Sequence, residues 1–320
     1  MHLLVSRSLP RPVALAFAMA LVMLSFAGTC CRGVAAWAAD PSSLKLWADG
    51  APGAMFDAPG DQPTLTLYPV ESERPTPAVV ILPGGGYGHL AIDHEGHQIA
   101  AWLNSLNITA GICEYRHRGR GNNGKGYGHP APMQDAQRAV RLMRANAEAW
   151  NLAAGRIGVI GFSAGGHLAS TVSTHFDAGN ADADDPVQRV SSRPDFAILC
   201  YPVIGFDKPY THRGSQRNLL GETADPLLIR TLSNETQVTE QTPPTFLWAT
   251  TEDTVVPPEN SVQYYLSLIR RQVPSELHLF ERGRHGLGLG AGTPDVSLWP
   301  QLCENWLRVR GILPPPADLP

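Results

Sequence analysis

Short apolar runs recur along the chain at 64–68, 78–82, 109–115, 157–161, 196–201, 245–250 and 276–280. Several are continuous rather than alternating, as in Ala-Val-Val-Ile-Leu at 78–82. Continuous runs of that length suit strands covered on both faces, as in a parallel sheet. Between them lie helical patterns. Ala136, Ala139, Val140, Met143, Ala147 and Trp150 share one helical face, and Val262, Tyr265, Leu266 and Ile269 repeat the i, i+3, i+4, i+7 spacing. Trp299, Leu302, Trp306 and Leu307 predict a closing helix. Strands alternating with helices predict an α/β fold, a mostly parallel central sheet with helices on both faces.

Two stretches interrupt this rhythm. Residues 177–194 are acidic and polar and read as an exposed loop. Asp182, Asp184 and Asp185 lack the glycine and closing glutamate of a calcium-binding loop. Residues 202–244 form a long insert between two predicted strands, in the position of a rim or small cap over a ligand cleft.

The amino terminus differs from the rest. Arg7 and Arg11 precede an uncharged run over 13–27, and Ala36-Trp37-Ala38 follows. A basic start, an apolar run of about 15 residues and an A-x-A site read as a secretory signal covering 1–38. The run is short for a bilayer span, which needs about 20 apolar residues. The expectation is therefore a secreted or periplasmic protein with one domain over 39–320. Lipid attachment at Cys30 or Cys31 is the lesser alternative, because Thr29 is a poor residue before a lipidated cysteine.

Composition narrows the function. The 320 residues are 43% hydrophobic and 17% charged, enough for a sizeable core and unlike a disordered chain. Without residues 1–38 the chain carries 22 basic and 29 acidic residues, a net −7, which gives no electrostatic reason to expect nucleic acid. Cys113, Cys200 and Cys303 remain, with no zinc spacing and no disulfide framework; Cys113 and Cys200 sit in apolar runs and read as core residues. His94 and His97 (H-E-G-H) miss the spacing that sets two metal ligands on one helical face.

The strongest chemical signal is Gly161-Phe162-Ser163-Ala164-Gly165, between a predicted strand and a predicted helix. G-x-S-x-G in a strand–turn–helix setting exposes a nucleophilic serine on a sharp turn, where side chains at the glycine positions would collide with backbone. Pro83-Gly84-Gly85-Gly86-Tyr87 follows the strand at 78–82. Its glycines let backbone N–H groups face a substrate, so Gly85, Gly86 and Ala164 are the candidate oxyanion-hole donors. A phosphate cradle is disfavoured because no Lys-Ser or Lys-Thr follows. With a serine elbow the acid and then the histidine come later in the chain. Asp253 leaves the run at 245–250, with Glu252 as the competing carboxylate, and His285 follows the run at 276–280 between Gly283 and Gly286. His167, four residues past Ser163, is placed to pack beneath the turn. His129 precedes Pro130-Ala131-Pro132 and either lines the cleft or caps a loop.

The stretch GFSAGGHLAS, the PGGGY loop, the HPAP segment at 129–132 and DTVVPPENS at 253–261 together resemble the secreted carbohydrate esterases of the α/β-hydrolase superfamily, nearest the acetylxylan and feruloyl esterases. The resemblance spans roughly 44–312. Pro83 stands where related lipases and esterases usually have histidine. What the resemblance implies is removal of acetyl or similar acyl groups from sugar hydroxyls, through a Ser163–His285–Asp253 triad and an acyl-enzyme, without metal or cofactor. The implied partner is a small-molecule or oligosaccharide ester, with neither nucleic acid nor stable membrane insertion. The alternatives are another small-ester carboxylesterase or an exopeptidase of the prolyl-oligopeptidase type, whose propeller about 280 residues cannot accommodate. A binding module on an inactive scaffold would not need an intact triad. A lipase would need an apolar lid, which the polar 202–244 segment does not supply.

Overall fold

The computed structural model describes residues 41–315. The signal reading of 1–38 lies outside the described residues. Eight strands form one sheet: β1 (Ser42–Lys45), β2 (Thr64–Tyr68), β3 (Thr76–Leu82), β4 (Thr109–Glu114), β5 (Leu152–Phe162), β6 (Ala197–Cys200), β7 (Thr245–Thr250) and β8 (Ser275–Phe280). Their order is β1-β2-β4-β3-β5-β6-β7-β8. β1 and β2 run antiparallel to their neighbours, and every pair from β4 to β8 is parallel. The connections between parallel strands carry α1 (Gln98–Ser105), α2 (Ala131–Ala145), α3 (Ala164–Thr174), α4 (Arg213–Leu220), α5 (Pro226–Thr231) and α6 (Glu259–Arg270), and α7 (Trp299–Val309) follows β8.

The pleat of β3 shows why its sequence is continuously apolar. Ala78, Val80 and Leu82 join one core with α2, α3 and α6, whereas Val79 and Ile81 join the other with α1 and α7. Both faces are dry, so neither set can be polar. Cys113, Cys200 and Cys303 are buried and unpaired in these cores.

Three expectations change. β1 lies in a stretch whose sequence shows no apolar run; it is an exposed edge strand defined by pairing with β2. Trp150 falls beyond the end of α2, in a turn leading into β5. On α6 the buried face is Ser261, Tyr264 and Leu268, and Ile269 is exposed. Hydropathy understates Ser261 and Tyr264, which rotates the apparent stripe.

The acidic 177–194 segment is anchored as well as polar. Asp185 and Asp177 of this segment, and Asp195 just beyond it, pair with Arg138, Arg141 and Arg144 along one side of α2. The chain between β6 and β7 carries α4, α5 and a short 3-10 turn, Asn234–Thr236. Among the described residues no helix is long and apolar enough to cross a membrane.

Candidate active site

β5 ends at Phe162, α3 begins at Ala164, and Ser163 takes the whole reversal with φ 53° and ψ −117°. L-residues adopt that conformation only when the surroundings enforce it. Here the Ser163 N–H donates to the Cys200 carbonyl at 3.0 Å, and the Ser163 carbonyl accepts from Val203 N–H at 3.0 Å. A Cβ on Gly165 would stand 2.0 Å from the Leu82 carbonyl oxygen, and one on Gly161 would stand 2.2 Å from that of Gly165. Both positions therefore have to be glycine.

Asp253 and His285 come from the loops after β7 and β8, which place them beside Ser163. One carboxylate oxygen of Asp253, Oδ1, accepts from the N–H groups of Val255 and Val256, each at 2.9 Å. The other, Oδ2, faces His285 Nδ1 at 2.6 Å, and His285 Nε2 lies 2.8 Å from Ser163 Oγ. The carboxylate can only accept, which assigns the ring proton to Nδ1 and leaves the Nε2 lone pair toward the hydroxyl. Glu252 points elsewhere; it accepts from Gly283 N–H at 3.0 Å and so helps hold the histidine loop. Of the preferred Asp253 and its competitor Glu252, only Asp253 is turned toward the imidazole.

The glycine loop completes the arrangement. Each carbonyl from Pro83 to Tyr87 is engaged: Pro83 by the Tyr115 hydroxyl, Gly84 by Ala91 N–H, Gly85 by Gly88 N–H, Gly86 by Asn218 Nδ2 and Tyr87 by Arg118 N–H. The N–H of Gly85 and that of Gly86 have no acceptor among the described residues, nor has the N–H of Ala164 at the start of α3. Carbonyls tied back with N–H groups left over form a cradle for a negatively charged oxygen, and the α3 amino end adds to it. No side chain at residue 83 takes part in this anchoring, which the backbone partners above accomplish.

His167 lies under the elbow, as its spacing predicted. Its Nε2–H donates to the Leu232 carbonyl at 2.8 Å, so Nδ1 accepts from the Tyr87 hydroxyl, also at 2.8 Å. Complete burial pushes its pKa down to about 3, and its ring stacks on Phe206 at 4.2 Å. His129 joins the cap instead of the reacting groups, its N–H donating to the Leu219 carbonyl at 2.8 Å.

Sequence reasoning missed four residues around the site. Glu95 and Tyr201 are buried behind the glycine loop and the imidazole. Asn218, on α4, reaches the loop from the cap. His212 caps α4 by accepting from Ser215 N–H, and a methyl on Gly86 would stand 3.9 Å from its Cε1. The signal available for Glu95 was a lone acid in H-E-G-H, read there only as a failed metal motif.

Residues 66–268 match the BD-FAE family model. The chain belongs to that family. The acetyl ester-xyloside bifunctional hydrolase from Caldicellulosiruptor lactoaceticus is a similar solved structure. It is 46% identical with a TM-score of 0.79, over 85% of this chain and 97% of that one. An acetylxylan esterase of Xylanibacter ruminicola is 34% identical over 237 residues, 72% of this chain and 45% of that protein. An endo-1,4-β-xylanase B of Butyrivibrio fibrisolvens is 35% identical over 225 residues, 70% of this chain and 34% of that protein. The chain thus spans between a third and a half of the length of these two curated relatives. The architecture is that of an α/β-hydrolase.

Proposed function

We propose that the protein is a serine carboxylic ester hydrolase that removes acyl groups, foremost acetyl, from carbohydrate hydroxyls. The observation that carries this reading is the unbroken line Ser163 Oγ, His285 Nε2, His285 Nδ1, Asp253 Oδ2, with contacts of 2.8 and 2.6 Å, beside three unengaged N–H groups. His285 accepts the Ser163 proton as the oxygen attacks the ester carbonyl, and Asp253 stabilises the imidazolium. The N–H groups of Gly85, Gly86 and Ala164 receive the oxyanion; each such donor contributes about 3 kcal/mol to transition-state stabilisation. The alcohol leaves with the proton from His285. Water, deprotonated by the same imidazole, then releases the acid and restores Ser163.

The carbohydrate part of the reading is supported by what the similar proteins are called, an acetylxylan esterase and an acetyl ester-xyloside hydrolase. Acetate release from acetylated xylan, measured beside ferulate release from feruloylated arabinoxylan with Ser163→Ala as control, tests both parts. Acetate release by the native enzyme alone is the expected result; release by Ser163→Ala, or none by either, refutes it. Export belongs to the same proposal: cleavage after residue 38 follows from the Ala36-Trp37-Ala38 site. Amino-terminal sequencing of the exported protein checks it.

A further inference from the structure

Glu95 is 3% exposed and lies on the short helical turn Asp93–His97 that leads into α1, with no part in the proton transfer described above. Taking a carboxylate out of water is costly unless both oxygens are paired. Both are. Gly84 N–H donates to Oε2 at 2.8 Å, and the Tyr201 hydroxyl donates to Oε1 at 2.7 Å. Tyr201, 2% exposed, in turn accepts from Gly288 N–H at 3.0 Å. The Gly288 carbonyl is held by Trp299 Nε1–H at 3.0 Å. One continuous chain of hydrogen bonds therefore runs from the oxyanion loop, through Glu95 and Tyr201, to the loop that carries His285.

Three further observations tie this chain to the reacting groups. The edge-to-face contact between the Tyr201 and His285 rings has a centroid distance of 5.0 Å, which sets the plane of the imidazole. A Cβ on Gly84 would stand 2.7 Å from Glu95 Oε2 and 3.0 Å from Ser163 Cβ, so the Gly84 backbone is the spacer between carboxylate and nucleophile. Tyr201 sits at the end of β6 with φ 37°, a left-handed conformation costly for a tyrosine. A buried charge close to where an oxyanion develops opposes that oxyanion, so its presence calls for a compensating role.

We propose that Glu95 and Tyr201 are positioning residues: together they brace the oxyanion loop against the histidine loop and hold both in register with Ser163. Glutamate is required because the brace needs two acceptors. A glutamine would turn its NH2 toward either Gly84 N–H or Tyr201. In the second case the tyrosine oxygen would face two donors, and its own proton would have no acceptor. The other titratable groups that face the carboxylate are the half-exposed His94, whose Nε2 is 3.7 Å from Oε1, and the buried Tyr115 and Cys200, whose ionisation the carboxylate opposes.

The proposal rests on the serine-esterase reading of the site, and the test separates the two. Hydrolysis of an aryl acetate is measured for the native enzyme, Ser163→Ala, Tyr201→Phe, Glu95→Gln and the double variant, with kcat expressed per folded molecule from circular dichroism. Tyr201→Phe and Glu95→Gln are expected to lower kcat roughly 10- to 100-fold with KM within threefold, because an ångström-scale misplacement of reacting groups can cost that much. The double variant is expected to be no slower than the worse single variant by more than threefold, since either change breaks the same chain. A structural role alone would lower the melting temperature and leave kcat per folded molecule unchanged. A Tyr201→Phe enzyme within threefold of native kcat, or losses that multiply in the double variant, overturns the brace; Tyr201→Phe decides the question even if Glu95→Gln does not fold. Activity retained by Ser163→Ala would instead overturn the site reading, and the brace would fall with it.

Discussion

Asp253→Asn offers the sharpest test of the proton path. The substituted amide has one oxygen to place. If it stays where Oδ1 is, it keeps the two 2.9 Å bonds from Val255 and Val256 N–H and sets its NH2 against His285 Nδ1. If it flips, two backbone donors face an NH2 and both bonds are lost. The first arrangement wins by roughly two hydrogen bonds, about 2 kcal/mol. The imidazole must then accept at Nδ1 and carry its proton on Nε2, pointing at the Ser163 hydroxyl it should deprotonate. The same exchange in a serine protease costs about 10⁴-fold in kcat, or about 5.4 kcal/mol of barrier, through the same tautomer inversion. The expectation here is a comparable fall in kcat on an aryl acetate, with KM within a few-fold and the melting temperature nearly unchanged, because the backbone bonds persist. Stopped-assay initial rates with a thermal melt as control suffice. An Asp253→Asn enzyme within tenfold of native kcat would refute the assignment of Asp253.

Gly165→Ala drives a methyl into the Leu82 and Pro83 carbonyl oxygens at 2.0 and 2.6 Å, so about 3 kcal/mol of stability should be lost in a denaturant melt, whereas Gly155→Ala, with nothing within 4 Å, should be near neutral. His167 is neutral in the fold with its pKa pushed from 6.5 to about 3 by burial, so between those values the unfolded chain binds the extra proton; stability should fall as pH drops through this window, by up to about 1.4 kcal/mol per pH unit, and His167→Gln should flatten that slope in urea titrations. Asp135→Asn weakens a buried pair in which both carboxylate oxygens accept from the Arg116 guanidinium at 2.8 and 2.9 Å, and should cost about 3 kcal/mol by thermal unfolding, with no change in kcat of the folded enzyme.

The sequence disclosed the parts of this molecule that obey short-range rules. The strands β3 to β7 are apolar runs because both faces of the parallel part of the sheet are dry, and β1 escaped notice because only its partner makes it a strand. Ser163 was legible because its turn needs glycine on both sides, and Asp253 and His285 because they leave consecutive strand ends. Asp253 was preferred to Glu252 from its place on the loop leaving β7, and the structure turns Asp253 toward His285 and Glu252 toward Gly283 N–H. Glu95, Tyr201, Asn218 and His212 were opaque for one reason: each acts on a loop far away in the chain, and no local pattern records that distance.

Asn218 illustrates what such a long-range tie entails for redesign. The Gly86 carbonyl is held by a side chain of the 202–244 insert, so the segment that tops the cleft also supports its catalytic wall. Exchanging that insert for one from a homologue, in order to admit a bulkier ester, would remove a strut along with a roof. A chimera that keeps an amide at the equivalent of 218 should stay competent, and one that omits it should accept its new ligand yet turn it over slowly.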